Sequence, residues 1–530
     1  MRTRKCRRRT MLRAVSGAAA IALSAAVAGC GSSSTQTTGT TGATQSQGST
    51  GAPVNGGTLT GGLTSDITTF NPYIADDQSS EFVVAQIYNG LFAVTPTGGA
   101  VPSIAKSMTT SPNGLTVTFA LRPTAKFSTG EPVTAKDVAF SLSQAMHSAT
   151  FGAIYGSITS VKPEGTETVV VTLAHREYDL PELLSYPSAS IVPANFAGEN
   201  PTQFFKQPIS SGPFTVTQRT PGESISLTKN PDYWDAAQTH LDKVQLEIFN
   251  DSNALSAAFR AGTVQFAPYA PLSAIESFGS AANVVYLKPG SATTALFLNS
   301  GFAPLANLNV RKAISLAINR QSIVSSLLSG HGQATETLLP PMVSGTATPA
   351  PVSTQDIAGA KALLAKTPYA KGFTVKMIYI TGNATQEAIA QTLQAELGQI
   401  GIKVQVQALD LGTWVSQTLG HESQISMFEL QGEGSVPALS LGFYIGTKGY
   451  GGNWPTQQAV AALAQYSFAP TPAARAAVLE KFQDWVSSEL PIIAIANMYD
   501  AVVFSKSVGG YESVSPYLIP LADLWSTAGK

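Results

Sequence analysis

Apolar and polar residues alternate along several short runs in the body of this chain. Leu115–Leu121 (LTVTFAL) and Thr168–Leu173 (TVVVTL) put every second side chain on one face, the pattern of half-buried strands. Between them the period changes. Thr134 followed by Asp137 makes a capping-box pattern, and Val138, Leu142 and Met146 recur on one face of the helix it predicts. Further on, Ser224–Thr228 and Val244–Phe249 read as strands, Ala254–Arg260 as a helix punctuated by Gly262, and Thr263–Phe266 as another strand. Leu59 and Leu63 lie in a β-like run that opens the body, before a turn-rich segment ending in Asn71-Pro72. Two longer helices are predicted over Val310–Leu328 and over Thr385–Ile400, the second stopped by Gly401 and followed directly by the alternating strand Ile402–Leu409. Such interleaving predicts mixed α/β lobes. No short-period repeat is evident, which disfavours a solenoid or propeller.

The segment before residue 57 does not follow this pattern. Met1–Arg13 carries seven cations, and no charged side chain follows until Asp66. Ala14–Ala28 is uncharged and alanine-rich, the layout of an export signal. A spanning helix needs roughly 20 strongly apolar residues, so a membrane span is the weaker reading. Val27-Ala28-Gly29-Cys30 resembles the lipobox of bacterial lipoproteins, which implies a signal peptide over 1–29 and a diacylglyceryl group on Cys30 as the mature N-terminus. The bland alternative is a small apolar residue in an apolar run. Arg8-Arg9-Thr10-Met11-Leu12-Arg13 is similar to a twin-arginine motif except that Arg7 stands where serine or threonine is usual, so both export routes stay open. Two acyl chains anchor stably where one is marginal. Residues 30–56, rich in Gly, Ser, Thr and Gln, read as a flexible tether. With Cys6 removed and Cys30 lipidated, no thiol remains to form a disulfide.

Size and charge narrow the function classes. From residue 57 the chain is long enough for two or three packed lobes. Removing the signal's seven cations leaves 25 Lys+Arg (32 − 7) against 33 Asp+Glu, so the formal charge moves from −1 to −8. Nucleic acid, which needs a basic surface, is therefore not an expected partner. The five histidines, His147, His175, His240, His331 and His421, are scattered, with no HExxH or HxH pair, so no metal site is expected. No GxSxG, GxxxxGK[ST] or GxGxxG pattern occurs, and acidic residues are isolated, so neither a hydrolase centre nor a nucleotide cofactor is predicted.

A resemblance gives these lobes a purpose. Ile87-Tyr88-Asn89-Gly90-Leu91, the run Val101–Leu142 (VPSIAKSMTTSPNGLTVTFALRPTAKFSTGEPVTAKDVAFSL), Ser210–Trp234 (SSGPFTVTQRTPGESISLTKNPDYW) and then LDKVQLEIF, AAFRAGTVQF, FLNS, NVRKAISLAINRQSIV and ALLAKTPYAKGFTVKMIY resemble, in order, the peptide/nickel-type extracellular solute-binding proteins, family 5. The resemblance implies a two-lobe, periplasmic-binding-protein-like (type II) α/β fold with a hinge and an inserted β-rich subdomain. In that layout residues 57–95, 190–290 and 490–530 form the first lobe, 96–189 the insertion and 291–489 the second lobe. It further implies a non-enzymatic, monomeric receptor that is extracytoplasmic and anchored to the cell membrane through its lipid. Such a receptor captures a peptide-like or other small polar solute and presents it to ABC permease subunits, with no cofactor. Closure on a solute held by both lobes is a population shift.

Departures from the family pattern bear on the site. AIDR reads Ala317-Ile318-Asn319-Arg320, the Gly-x-Val-Asp phrase ends in Gln265, and Val-Asp-x-Leu reads Val460-Ala461-Ala462-Leu463. Oligopeptide binders place an aromatic residue and then an aspartate for the peptide's amino terminus, and the matching stretch is Phe428-Glu429-Leu430-Gln431-Gly432-Glu433. Phe428 matches the aromatic, and Gln431 takes the acidic position. A neutral amide cannot supply charge-assisted pairing. Either the solute lacks an ammonium group, or Glu433 or Glu429 supplies the charge; Glu433 reads equally as a solvated loop acid. Further cleft candidates are Phe70, Asn71, Tyr88, Asn299, Tyr450, Asn453 and Trp454. Each aromatic taken singly reads first as packing, except Trp454, which stands in a loop between Asn453 and Pro455 and reads as a contact. Tyr233 and Trp234 read as structural. The alternative function is a membrane-associated scaffold or regulator using the same fold, and an enzyme is the more distant reading.

Overall fold

The computed structural model describes residues 52–249, 251–341, 343, 352–381, 383–431, 461, 465–466, 468–515 and 518–528, all within one compact unit, Ser46–Lys530. Its spine is an eleven-stranded sheet. In order across the sheet the strands are Ile402–Leu409, Phe373–Ile380, Ile425–Gln431, Ala282–Leu298, Ile492–Ser505, Phe266–Ala267, Thr58–Leu63, Lys243–Ile248, Ser224–Lys229 and Phe214–Thr220, and Gly332–Ala334 pairs off this path with Ile492–Ser505. Thr58–Leu63 runs parallel to both Lys243–Ile248 and Phe266–Ala267, and Phe373–Ile380 runs parallel to Ile402–Leu409 and Ile425–Gln431. Parallel neighbours need crossover connections, and helices such as Ser252–Arg260 and Ala384–Gly398 supply them.

Two long antiparallel strands, Ala282–Leu298 and Ile492–Ser505, run through both halves of this sheet. The apolar run in the second feeds four hydrophobic clusters in turn. Ile492 packs with Phe297, Leu430, Leu479 and Phe482, and Ile493, Ile495 and Met498 pack with Leu296, Ile314 and Leu393. Past Asp500 the same strand joins a different pair, Ala501 and Val503 with Leu255 and Phe278, and Val502 and Phe504 with Leu59, Ile87 and Val244. A strand buried on both faces reads as continuously apolar, and IIAIANMYDAVVF departs from that at Asn497 and Asp500. Two halves, each with apolar packing on both sheet faces, result.

A separate four-stranded antiparallel sheet, Ala105–Thr110, Thr116–Leu121, Thr168–Leu173 and Ile158–Glu164, packs under the helix Ala135–Met146. That helix begins as its sequence predicts: the Asp137 carboxylate accepts the Thr134 backbone N–H at 2.8 Å and its hydroxyl at 2.6 Å. The strands expected over 115–121, 168–173, 224–228, 244–249 and 402–409 and the helices expected over 254–260 and 385–400 occur within a residue or two of those bounds. The single helix expected over Val310–Leu328 does not form. Leu308–Ala317 ends at Ile318, and the chain turns before Arg320–Ser322 and a π-helical turn over Ile323–Leu327. Arg320 forces the turn: it is 2% exposed, and its guanidinium donates to the carbonyls of Ser315 and Ala494 and pairs with Glu336 at 3.3 Å. A buried cation must find all its partners, and straight helix would not aim it at them.

Candidate solute-binding cleft

The two halves meet where the long strands change register. Leu287 faces Asp500 and Ala292 faces Met498, so the four residues Lys288–Ser291 stand opposite Tyr499 alone. Gly290 is required there, because a Cβ at this position would overlap the Met498 carbonyl oxygen. The bulge is tied down by Asn497, whose amide donates to the carbonyls of Gly290 and Ala292 at 3.2 and 2.9 Å, and by Ser291, whose hydroxyl donates to the Asp500 carboxylate. Lys288 lies over the Tyr499 ring at 5.0 Å.

Polar groups from both halves converge on this crossing. Burial holds the Asp500 carboxyl above its ordinary value against the opposing hydrogen bonds from Ser291. Glu429, on the second-half strand Ile425–Gln431, is also raised by burial, offset in part by amide donors from Gln386 at 3.2 Å and Asn383 at 3.0 Å and reinforced by the Asp500 charge. Asn383 also caps its own helix by accepting from Gln386 N–H at 3.0 Å, so the start of Ala384–Gly398 is fixed against Glu429. From the first half, Tyr269 stands edge-on to Phe82 at 6.3 Å, and its hydroxyl pKa is driven up by burial and by the charges of Asp500 and Glu81. Its φ of 53° is left-handed, a conformation that a tyrosine adopts only when its surroundings impose it. Two carboxyls and a phenol in a partly desolvated space can receive a cationic or hydrogen-donating solute group. Sequence reading reached Glu429 but not Asp500 or Tyr269. The signals available were a lone acid in IIAIANMYDAVVF and an aromatic between prolines in APYAP.

The other expected contacts fall in different places. Phe70 is 1% exposed, packed in the first-half core with Arg219 over its ring at 5.5 Å, and Asn71 uses its side-chain oxygen to accept Tyr73 N–H at 3.0 Å in a turn. Tyr88 caps the helix Gln78–Ile87 and is 2% exposed. Phe428 stacks on the fully buried Trp414 at 4.8 Å. Asn299 is far from the crossing: Leu298 pairs with Ile425 at the opposite end of the strand pair that Ala292 and Gln431 begin, roughly 20 Å away at about 3.4 Å per residue. Its amide donates to the carbonyls of His421 and Ser423 and its side-chain oxygen accepts from Gly301 N–H, which ties down the loops around its strand end. Gln431 ends its strand opposite Ala292. Glu433, Tyr450, Asn453, Trp454 and Cys30 lie outside the described residues. Among the described residues no group of three or more His, Cys, Asp or Glu could hold a metal ion, and no helix is long and apolar enough to cross a membrane.

Two halves crossed by a pair of strands at a polar junction define a two-lobe periplasmic-binding-protein fold. The DppA protein of Helicobacter pylori, solved with the peptide STSA, superposes with a TM-score of 0.79 at 23% identity over 89% of this chain and 98% of that one. AppA of Bacillus subtilis, solved with a nonapeptide, gives 0.78 at 22% identity over 90% of this chain and 100% of its own. The chain belongs to the bacterial extracellular solute-binding proteins, family 5, whose middle-region model matches residues 99–452. Among curated relatives, the glutathione-binding protein GsiB of Salmonella typhi is 26% identical over 372 residues, 69% of this chain and 72% of GsiB. This family and fold are those of substrate-binding proteins.

Proposed function

We propose that this protein is the lipid-anchored receptor of an ABC importer. It captures a small polar, peptide-like solute between two lobes and delivers it to permease subunits. The observation that carries the reading is the crossing itself. Lys288–Ser291 bulges beside Gly290 between two separately packed halves, with Asp500, Glu429 and Tyr269 gathered at the same point. A hinge that coincides with convergent polar groups couples binding to closure, because solute touching both lobes adds binding free energy to the closed state only. Names among its relatives, glutathione-binding and peptide-bound, favour a solute with amide groups and a free ammonium. Glu429 and Asp500 would receive that ammonium in place of the neutral Gln431. The first lobe is taken as 57–95, 190–290 and 490–530 with the insertion 96–189, and the second as 291–489, except that Ile492–Met498 pack with the second half and so place the return crossing at Tyr499–Asp500. Cys30 supplies the anchor and 30–56 the tether.

A thermal-shift screen of the mature protein against di- to pentapeptides, glutathione, amino-acid derivatives, sugars and a nickel chelate tests the reading. Stabilisation by one class, confirmed by titration calorimetry and lost on N-acetylation, supports both receptor and ammonium site. Stabilisation by none of them contradicts the receptor.

A further inference from the structure

The two lobes also touch away from the strand crossing, through a cluster of polar and aromatic side chains. Asp179 occupies the N-cap position of the short helix Leu180–Leu183, where aspartate ordinarily bonds its own helix's N–H groups, yet its side chain makes no such bond. Its carboxylate instead reaches Arg475 at 3.5 Å and accepts from the Tyr466 hydroxyl. The two ends belong to different bodies. Leu180 and Leu183 pack in the first-lobe cluster beside the four-stranded sheet, whereas Arg475 lies on Pro472–Glu489, whose Leu479, Phe482 and Val486 pack with Tyr466 in the second lobe. Arg475 also lies over the Tyr178 ring at 5.6 Å. One further contact runs alongside: the His175 ring meets Phe468 at 4.7 Å, leaving Phe468 itself 60% exposed.

We infer that Asp179, Tyr178, Arg475 and Tyr466 form a latch that holds the inserted subdomain against the second lobe without solute. An exposed ion pair contributes little, but the side chains of Arg475 and Asp179 are 16% and 14% exposed, so water and salt screen this one weakly. The phenol donor and the cation–π contact share the same guanidinium–carboxylate unit, and linked contacts of this kind reinforce each other. Opening the lobes breaks the ion pair, the phenol hydrogen bond and the cation–π contact together. The latch thus biases the unliganded receptor toward closure and sets how much of that closure a solute must add.

The inference concerns the protein without solute, so its test is independent of what the receptor binds. Mature protein carrying Cys30→Ala has no other cysteine, and spin labels at Lys162→Cys and Lys481→Cys, both exposed, report the distance between the two bodies. Pulsed electron resonance of the parent should give one short, narrow distribution. Asp179→Asn and Arg475→Met should each move it to longer, broader distances, with the closed-to-open ratio falling about tenfold, and the swap Asp179→Arg/Arg475→Asp should restore the short distance. Near-ultraviolet circular dichroism confirms that each variant is folded, and the swap keeps the test valid if a single variant is not. A short, narrow distribution in both single variants overturns the latch, and so does a folded swap that remains open.

Discussion

Glu429 holds a carboxyl where burial disfavours its charge and two amides from Asn383 and Gln386 only partly restore it. The native state therefore binds this proton more tightly than the unfolded chain does. Its contribution to stability is greatest below the ordinary value of 4.5 and is lost as pH rises from there through the raised native value. Glu429→Gln should raise the melting temperature of the solute-free protein near pH 7.5, leave it nearly unchanged at pH 4, and flatten the decline between them, as thermal denaturation across that range would show. The same variant should weaken binding of an ammonium-bearing solute, so stability and affinity should move in opposite directions. Trp414 is fully buried against Phe428, and Trp414→Ala should cost about 3–5 kcal/mol in urea denaturation. The Glu429 environment does not show in the local sequence, because its partners Asn383 and Gln386 stand 46 and 43 residues before it.

Among the elements, the bulge Lys288–Ser291 carries the mechanical argument. Gly290→Ala should push the Met498 carbonyl aside and destabilise the protein by about 1–3 kcal/mol in urea denaturation. An unchanged midpoint would mean that the two long strands do not pack as described. Strands and helices with a clean period were legible, since Thr116–Leu121 and Thr168–Leu173 each bury alternate residues against one layer, and Ile402–Leu409 does so in its first half. The Val310–Leu328 region misled because its apolar spacing continues past the turn at Ile318, while the buried Arg320 that imposes the turn needs acceptors on Ile492–Ser505, more than 170 residues away in sequence. A periodic pattern records which face is apolar and nothing about what a lone cation must reach. The bulge is equally silent in sequence, since the short run KPGS bulges only because it stands opposite Tyr499 alone in the register shift between the two long strands.

At the scale of the whole molecule, the two-lobe fold and the family were legible from a long series of phrases in order. The cleft was only partly so, because Tyr269, Ser291, Glu429 and Asp500 are gathered by the crossing strands from four separate stretches. The anchor and the cleft should separate experimentally. Cys30→Ala protein should leave the membrane fraction and still bind solute in vitro, while cells expressing it lose uptake; unchanged membrane retention would exclude lipidation at Cys30. The most direct test of the central claim is native mass spectrometry of the protein purified from its own membranes. The account predicts a one-to-one complex with a small polar molecule that is released on unfolding and, when added back, restores the complex mass. Bare chain alone, with no mass shift on addition of a mixed short-peptide pool and glutathione, would contradict it.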